Sequence, residues 1–290
     1  MTALRANVLL LLAAFFWGAG NVAQKTVLDD VGPLTAVGLR CLIGAVAILP
    51  FVRRDLAGLR HVTRWEWRGL AVVALLFAAA ITAQQASYGG TSVTNASFLV
   101  SMTTVLTPIV AWIVLGDRPH AILWSAVAAA LAGAFLMGGA SLTTMAAGDL
   151  GCLLSALLYS VWFVALGTVV TKTRRPGLLT LAQFVLTGTI CLGLGIALEP
   201  ISPARLVAAL PELLILGVFA TGLAFGLQAV AQQFTSASTA AILTSAESVF
   251  GAIGGALMLG ERLSTATALG ATLVGLAILA AQLTPAHPGP

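Results

Sequence analysis

The chain has 290 residues, 59% of them hydrophobic and only 8% charged, with a mean hydropathy of +1.02, whereas a soluble domain carries about 25% charged residues. That composition excludes a water-soluble globule. The net charge of +4 does not imply a nucleic-acid partner, because the basic residues lie in loops between apolar runs and express topology.

Ten apolar runs follow one another, at 6–27, 34–52, 69–88, 94–115, 122–140, 150–171, 178–198, 213–233, 238–259 and 264–283. Each is close to the ~20 residues a helix needs to cross a bilayer. The alternation of barrel strands is missing, so backbone groups in lipid must be satisfied within helices. The expected fold is an all-α integral membrane protein with ten transmembrane helices. Arg5 ahead of the first run has the look of a signal peptide, but the run extends to a full span with no small-x-small cleavage site, so the first span is expected to stay.

Taken in order, the first span sets Trp17, Asn21 and Gln24 at i, i+4 and i+7, one helical face. The second contains Arg40, toward its outer side. In the loop that follows, Trp65 and Trp67 beside Arg64 and Arg68 read as an interfacial belt. Gln84 and Tyr88 share a face of the third span. The fourth carries Pro108, and Trp112 and Trp124 flank the "GDRPHA" loop. Ser155, Tyr159 and Trp162 repeat the i, i+4, i+7 stripe on the sixth span, and Thr221, Phe225, Gln228 and Gln232 line one side of the eighth. Each polar stripe fits either an interhelical hydrogen bond or the wall of a cavity.

The ninth span holds Glu247 within "LTSAESVFGAIGG", near the bilayer midplane at 1.5 Å per residue. An ionisable group there costs about 3 kcal/mol unless it is paired or faces water. Two readings stay open: a cavity carboxylate that binds a substrate ammonium or carries a coupling proton, or a packing residue bonded to neighbouring hydroxyls. Arg40 reads as structural, bonding backbone carbonyls or an acid, and a pair with Glu247 is compatible with the sequence. Gly222 with Gly226, Gly251 with Gly255, and Ala271 with Gly275 form small-xxx-small pairs suited to close helix packing.

Cys41, Cys152 and Cys191 are widely separated inside spans, and His61, His120 and His287 are isolated, so neither a disulfide framework nor a metal site is expected. Neither Lys25 nor Lys172 follows a glycine, so no phosphate-binding loop exists and ATP energy would need another subunit. No hydrolase or zinc motif occurs either. The expectation is no enzyme and no cofactor. With the N-terminus cytoplasmic, Arg5, Arg53, Arg54, Arg60, Arg64, Arg68, Arg118, Lys172, Arg174 and Arg175 lie inside and only Lys25, Arg205 and Arg262 outside. Both termini are therefore expected in the cytoplasm.

Residues 94–118, "TNASFLVSMTTVLTPIVAWIVLGDR", laid over 238–262, "STAAILTSAESVFGAIGGALMLGER", match at eight of twenty-five positions and end in "LGDR" and "LGER". A shift of 142 to 144 residues also sets Trp17 over Tyr159, Arg40 over Gln183 and Gln84 over Gln228. This predicts two five-helix repeats, 1–143 and 144–290. Five is odd, so the second enters the membrane in the opposite sense, and inverted repeats around a midplane site are the architecture of secondary transporters.

"AAFFWGAGNVAQK" at 13–25, "LGDR" at 115–118, the stretch 232–263 and "LGATLVGLAIL" at 269–279 together resemble the EamA-type, ten-helix branch of the drug/metabolite transporter superfamily, over essentially the whole chain. The resemblance implies a central cavity lined by the first, third, fourth, sixth, eighth and ninth helices, and export of amino acids or other metabolites from a bacterial cell across its inner membrane. Such proteins often read Glu-Pro where this chain has Glu247-Ser248, so no proline kink carries over. The expectation is a secondary transporter working by alternating access on a small-molecule substrate, with neutral and aromatic amino acids favoured. Trp17, Tyr88, Tyr159 and Trp162 would offer ring faces to it. A multidrug or nucleotide-sugar carrier of the same fold is the alternative, and a non-transporting scaffold the rival outside transport. Oligomeric state is left open.

Overall fold

The computed structural model describes residues 1–57, 62–91, 93–116, 118–138, 146–259 and 264–282, and every regular element among them is helical. Arg60, His61, Asp117, Arg262, His287 and the "GER" end of the second motif lie outside the described residues.

The chain runs through α1 (Ala3–Thr26), a 3-10 turn (Val27–Asp29), α2 (Pro33–Ala57), α3 (Arg64–Tyr88), α4 (Val93–Val100), α5 (Thr103–Leu115), α6 (Ala121–Gly138), α7 (Ala147–Thr173) and α8 (Pro176–Leu198). It continues through α9 (Pro203–Ala208), α10 (Leu210–Leu214), a π-helical stretch (Ile215–Leu223), α11 (Ala224–Ala231), α12 (Ala237–Thr244), α13 (Glu247–Leu259) and α14 (Thr265–Gln282). The starts and stops have local causes. Thr63 and Glu66 form a reciprocal capping box that opens α3, with Glu66 N–H to Thr63 Oγ1 at 3.2 Å and Thr63 N–H to Glu66 Oε2 at 2.7 Å. Pro176 opens α8, and Gly116 ends α5 at a φ of 72° that a side chain rarely adopts.

Among the described residues, seven helical stretches are long and apolar enough to cross a membrane: 3–29, 33–53, 64–88, 96–115, 147–173, 176–198 and 210–231. Three shorter apolar helices accompany them at 121–137, 237–253 and 265–281. The molecule is an all-α, multi-pass membrane protein. Large side chains left outward, such as Phe51, Ile113 and Val207, are more than 70% exposed, as expected of surfaces that face lipid.

Three features depart from uninterrupted spans. The fourth and ninth apolar runs, read as single helices, are broken at 101–102 and 245–246. At the first break, Ser101 and Thr103 hydroxyls donate to the Phe98 and Val100 carbonyls at 2.5 and 2.7 Å. At the second, Ser245 and Ser248 hydroxyls donate to the Ile242 and Ser245 carbonyls at 2.6 and 2.9 Å. Hydroxyls that take carbonyls three residues back compete with the helical ladder and tighten the turn. The backbone follows the same pattern 144 residues apart, with Thr104 N–H to Ser101 O at 2.9 Å and Ser248 N–H to Ser245 O at 3.2 Å. The third departure is the π-helical stretch in the eighth run. Its Gly217 lies against α2, where an added Cβ would meet Ile43 Cβ at 2.6 Å.

Helices pair crosswise between the halves of the chain. α2 runs along α8, α6 along α14, α3 along α7; α1 packs on the π-helical stretch, α11, α12 and α13, while α7 packs on α4 and α5. α6 and α14 touch backbone to backbone, since a Cβ on Gly133 would meet Gly270 O at 2.6 Å and one on Gly270 would meet Gly133 O at 2.5 Å. The expected Ala271/Gly275 pair does not make this contact, for a Cβ on Gly275 would meet nothing within 4 Å. α2 and α8 cap each other. Glu199 accepts from Leu34 N–H and Thr35 N–H, both at 2.8 Å, and Asp55 accepts from Gly177 N–H at 2.8 Å and Leu178 N–H at 3.2 Å. Each carboxylate thus satisfies free donors at the positive end of the other helix.

Candidate functional site

The wall of one central cavity draws on α1, α2, α3, α4, α5, α7, the π-helical stretch, α11, α12 and α13. Its free space is about 90 Å³, several times the ~10–15 Å³ a single water needs on that measure. Eight of the residues singled out from the sequence line it: Trp17, Asn21, Gln24, Arg40, Gln84, Tyr159, Phe225 and Glu247.

α1 supplies three of them on one face. The Trp17 indole N–H donates to Ala220 O at 2.8 Å, a carbonyl of the π-helical stretch. One turn on, Asn21 Nδ2 donates to Glu247 Oε1 at 3.0 Å. Gln24 Oε1 in turn accepts from Arg40 Nη1 at 3.2 Å. The helix therefore carries, within two turns, an aromatic face, a partner for the acid and a partner for the base.

Arg40 is 2% exposed, and its remaining bonds go to Thr221 Oγ1 at 2.9 Å and Gln85 Oε1 at 3.3 Å. All three partners are neutral side-chain oxygens; neither backbone carbonyls nor Glu247 take part. The sequence leaves an Arg40–Glu247 pair open, and the structure gives each a separate partner on α1 instead. The π-helical stretch matters here, because it presents both Ala220 O and Thr221 Oγ1 to this side of the bundle.

Glu247 sits at the first position of α13, just past the break at 245–246. A carboxylate at a helix N-terminus is favoured by the free N–H groups and dipole there, which the uninterrupted-helix reading could not anticipate. Its backbone is close to α1, where a Cβ on Gly18 would meet Glu247 O at 2.5 Å and Gly251 N at 2.8 Å. Opposite, Tyr159 O–H donates to Gln84 Oε1 at 3.1 Å and joins α7 to α3.

The other four candidates lie off the wall. Trp162 is fully buried, donates to Gln183 Oε1 at 3.1 Å, and belongs to a ring cluster in which Phe77 lies 4.9 Å from Phe225, 5.5 Å from Trp162 and 5.8 Å from Phe184. Gln228 Nε2 donates to Gln232 Oε1 at 3.4 Å, and Gln232 Nε2 to Phe163 O at 3.2 Å. Tyr88 is 1% exposed against Ala96 and Phe98, and its carbonyl accepts from Lys25 Nζ. Phe77, Trp162 and Phe184 form a ring layer against Phe225 of the cavity wall, and Gln228 and Gln232 follow Phe225 one and two turns on along the same run. That layer is on the side of the bundle where Lys172 stands 5.5 Å over the Trp65 ring, since Phe77 precedes Gln84 by seven residues on α3, about 10 Å.

Sequence reasoning passed over Gln85 and a set of hydroxyls, Ser97, Ser101, Thr103, Thr104, Thr244, Ser245 and Ser248, of which all but Gln85 line the cavity. Their signal was the matched Ser/Thr content of 101–104 and 244–248. No group of three or more His, Cys, Asp or Glu that could hold a metal occurs among the described residues.

The EamA-like transporter family model matches residues 4–139 and again 146–281. An uncharacterised transporter of Archaeoglobus fulgidus is 28% identical over 97% of this chain and 86% of its own length. The uncharacterised transporter YwfM of Bacillus subtilis is 29% identical, over 96% and 94% respectively. A solved crystal structure, 17% identical, superposes with a TM-score of 0.78 over 96% of both chains, a likeness of fold.

Proposed function

The chain belongs to the EamA-like transporter family and is a membrane transporter of small molecules rather than an enzyme; from that premise we propose that it exports neutral and aromatic amino acids across a prokaryotic inner membrane by alternating access. The carrying observation is that one cavity brings a carboxylate, Glu247, together with the ring faces of Trp17, Tyr159 and Phe225. A carboxylate suits an ammonium, and the rings suit an apolar or aromatic side chain.

The architecture that goes with this reading is ten transmembrane helices in two inverted five-helix repeats, 1–143 and 144–290. The double match of the family model supports it, as do the crosswise helix pairs, the reciprocal caps of α2 and α8, and the matching breaks 144 residues apart. Ten basic loop residues against three support cytoplasmic termini. In that orientation the ring layer of Phe77, Trp162 and Phe184, together with Gln228 and Gln232, closes the cytoplasmic side. Substrate would enter when this layer parts, bind beside Glu247, and leave outward once it re-forms.

Counterflow in liposomes tests the reading. Purified protein is given radiolabelled phenylalanine outside and unlabelled amino acids, lipophilic cations or nucleotide sugars inside. Saturable exchange with neutral and aromatic amino acids is expected. With a labelled lipophilic cation or nucleotide sugar outside instead, exchange of that compound alone moves the substrate class to it, and no phenylalanine exchange from folded protein removes the amino-acid reading. Repeating the assay with Glu247→Gln under a pH gradient tells proton coupling from facilitated diffusion.

A further inference from the structure

Amino-acid export leaves unanswered how a carrier would recognise the part common to its substrates. Arg40 and Gln24 supply a clue. Among the described residues the Arg40 guanidinium bonds through Nε and Nη1 only, so Nη2 has no partner there although Arg40 lines the cavity. Gln24 is 6% exposed, its Oε1 is fixed by Arg40, and its Nε2 is a buried donor with no acceptor. Two adjacent donors on one wall thus lack an acceptor. Gln24 Nε2 is the buried one of the two, and a buried donor is seldom left so; a guanidinium fork beside an amide N–H matches the two oxygens of a carboxylate.

The other pole is Glu247. Its Oε1 accepts from Asn21, and among the described residues no donor reaches Oε2. Asn21 and Gln24 lie three residues apart on one face of α1, so their side chains are neighbours about 5–6 Å apart at Cβ. Acid and base are thus each held by a different side chain of one α1 face and do not bond each other. An α-amino acid carries its ammonium and carboxylate ~3 Å apart, and a hydrogen bond of ~2.8 Å at each end lets it bridge two such poles roughly 8–9 Å apart.

We propose that Arg40 and Glu247 are the two poles of a headgroup site for a zwitterionic α-amino acid, Arg40 with Gln24 holding its carboxylate and Glu247 its ammonium. The assignment rests on the amino-acid export reading and names how that site selects. The substrate side chain then lies against Trp17, Tyr159 and Phe225. Arg40 changes role by this account: an arginine kept for packing alone would have its donors taken by the protein.

The test uses the full chain in detergent micelles, with binding measured calorimetrically for L-phenylalanine, 3-phenylpropionate, which lacks the ammonium, and phenethylamine, which lacks the carboxylate. Wild type binds phenylalanine at least tenfold more tightly than either truncated probe. Glu247→Gln weakens phenylalanine and phenethylamine roughly tenfold or more and leaves phenylpropionate within twofold. Arg40→Gln does the converse, weakening phenylalanine and phenylpropionate but not phenethylamine. Gln24→Leu repeats the Arg40 pattern at smaller size, and decides the matter should Arg40→Gln not fold. Equal loss for all three probes in the Arg40 and Gln24 variants overturns the headgroup site. Liposome exchange of phenylalanine with no such discrimination overturns the site and leaves export standing, whereas wild type that neither binds nor exchanges any amino acid overturns both.

Discussion

The two helix breaks, at 101–102 and 245–246, share a backbone and differ in chemistry. At each, hydroxyls take carbonyls three residues back and an N–H closes the same short turn. Yet Thr103 at the first turns its hydroxyl onto Val100 O at 2.7 Å and Ala156 O at 3.4 Å, whereas Glu247, 144 residues later, reaches across to Asn21. The neighbouring helix differs to match. Ser160 of α7 lies 3.4 Å from Thr103 O, and Gly18 of α1 leaves room for Glu247 O. One break is closed upon itself and its neighbour α7, and the other holds an acid bonded to α1. Under the proposed duplication, the fold is kept in both copies while the chemistry is placed in one.

Making the second break resemble the first has the largest expected effect. Glu247→Thr keeps the hydroxyl pattern of Ser245 and Ser248, so the melting temperature in detergent should hold within a few degrees while phenylalanine exchange falls by about a hundredfold, the loss of a charge-assisted contact. Retained exchange would mean that the acid is there for packing. Gly18→Ala comes next. Its Cβ would lie 2.5 Å from Glu247 O, a backbone atom that cannot swing aside. Prising α1 from α13 should cost about 1–3 kcal/mol, lower the melting temperature, and slow exchange because Asn21 no longer meets Glu247. An unchanged melting temperature would show that the two helices tolerate separation.

Thr103→Val examines the closed break. It removes two hydroxyl contacts, a loss of about 1 kcal/mol, and exchange should stay within threefold of wild type because no charge is moved. A collapse of exchange comparable to that of Glu247→Thr would erase the distinction between the breaks.

Much of the scaffold was legible in the sequence because burial in lipid demands long apolar runs, and those runs recur from residue 6 to 283. Glu247, Arg40 and the α1 stripe stood out for the same reason, as polar groups where the solvent is hydrocarbon. The breaks were not legible. A serine or threonine in an apolar run reads alike whether its hydroxyl follows the helix or tightens it, and only the placement of the preceding carbonyls decides. Gln85 was missed because adjacent residues point about 100° apart on a helix, yet Gln84 serves Tyr159 and Gln85 serves Arg40. Periodicity likewise groups Trp162, Gln228 and Gln232 with cavity residues but cannot say at which turn the cavity ends and the ring layer begins.

The smallest effect should come from Ser160→Ala, which sharpens the comparison most finely. The Ser160 hydroxyl already donates to Ala156 O of its own helix at 2.8 Å, and its contact with Thr103 O is longer, at 3.4 Å. Polar contacts between membrane helices average about 0.6 kcal/mol, and alanine regains a similar amount in helix propensity. The two nearly cancel, so melting temperature and exchange should both stay close to wild type. Ser160→Gly, which copies Gly18 into α7, loses the contact and regains nothing, glycine lying ~1 kcal/mol below alanine in helix propensity, so it should melt measurably lower than Ser160→Ala. If instead it matched Ser160→Ala, the small residue at this crossing would be a matter of space alone in both halves. Gly18 and Ser160 would then be interchangeable, and the difference between the breaks would reside wholly in Glu247.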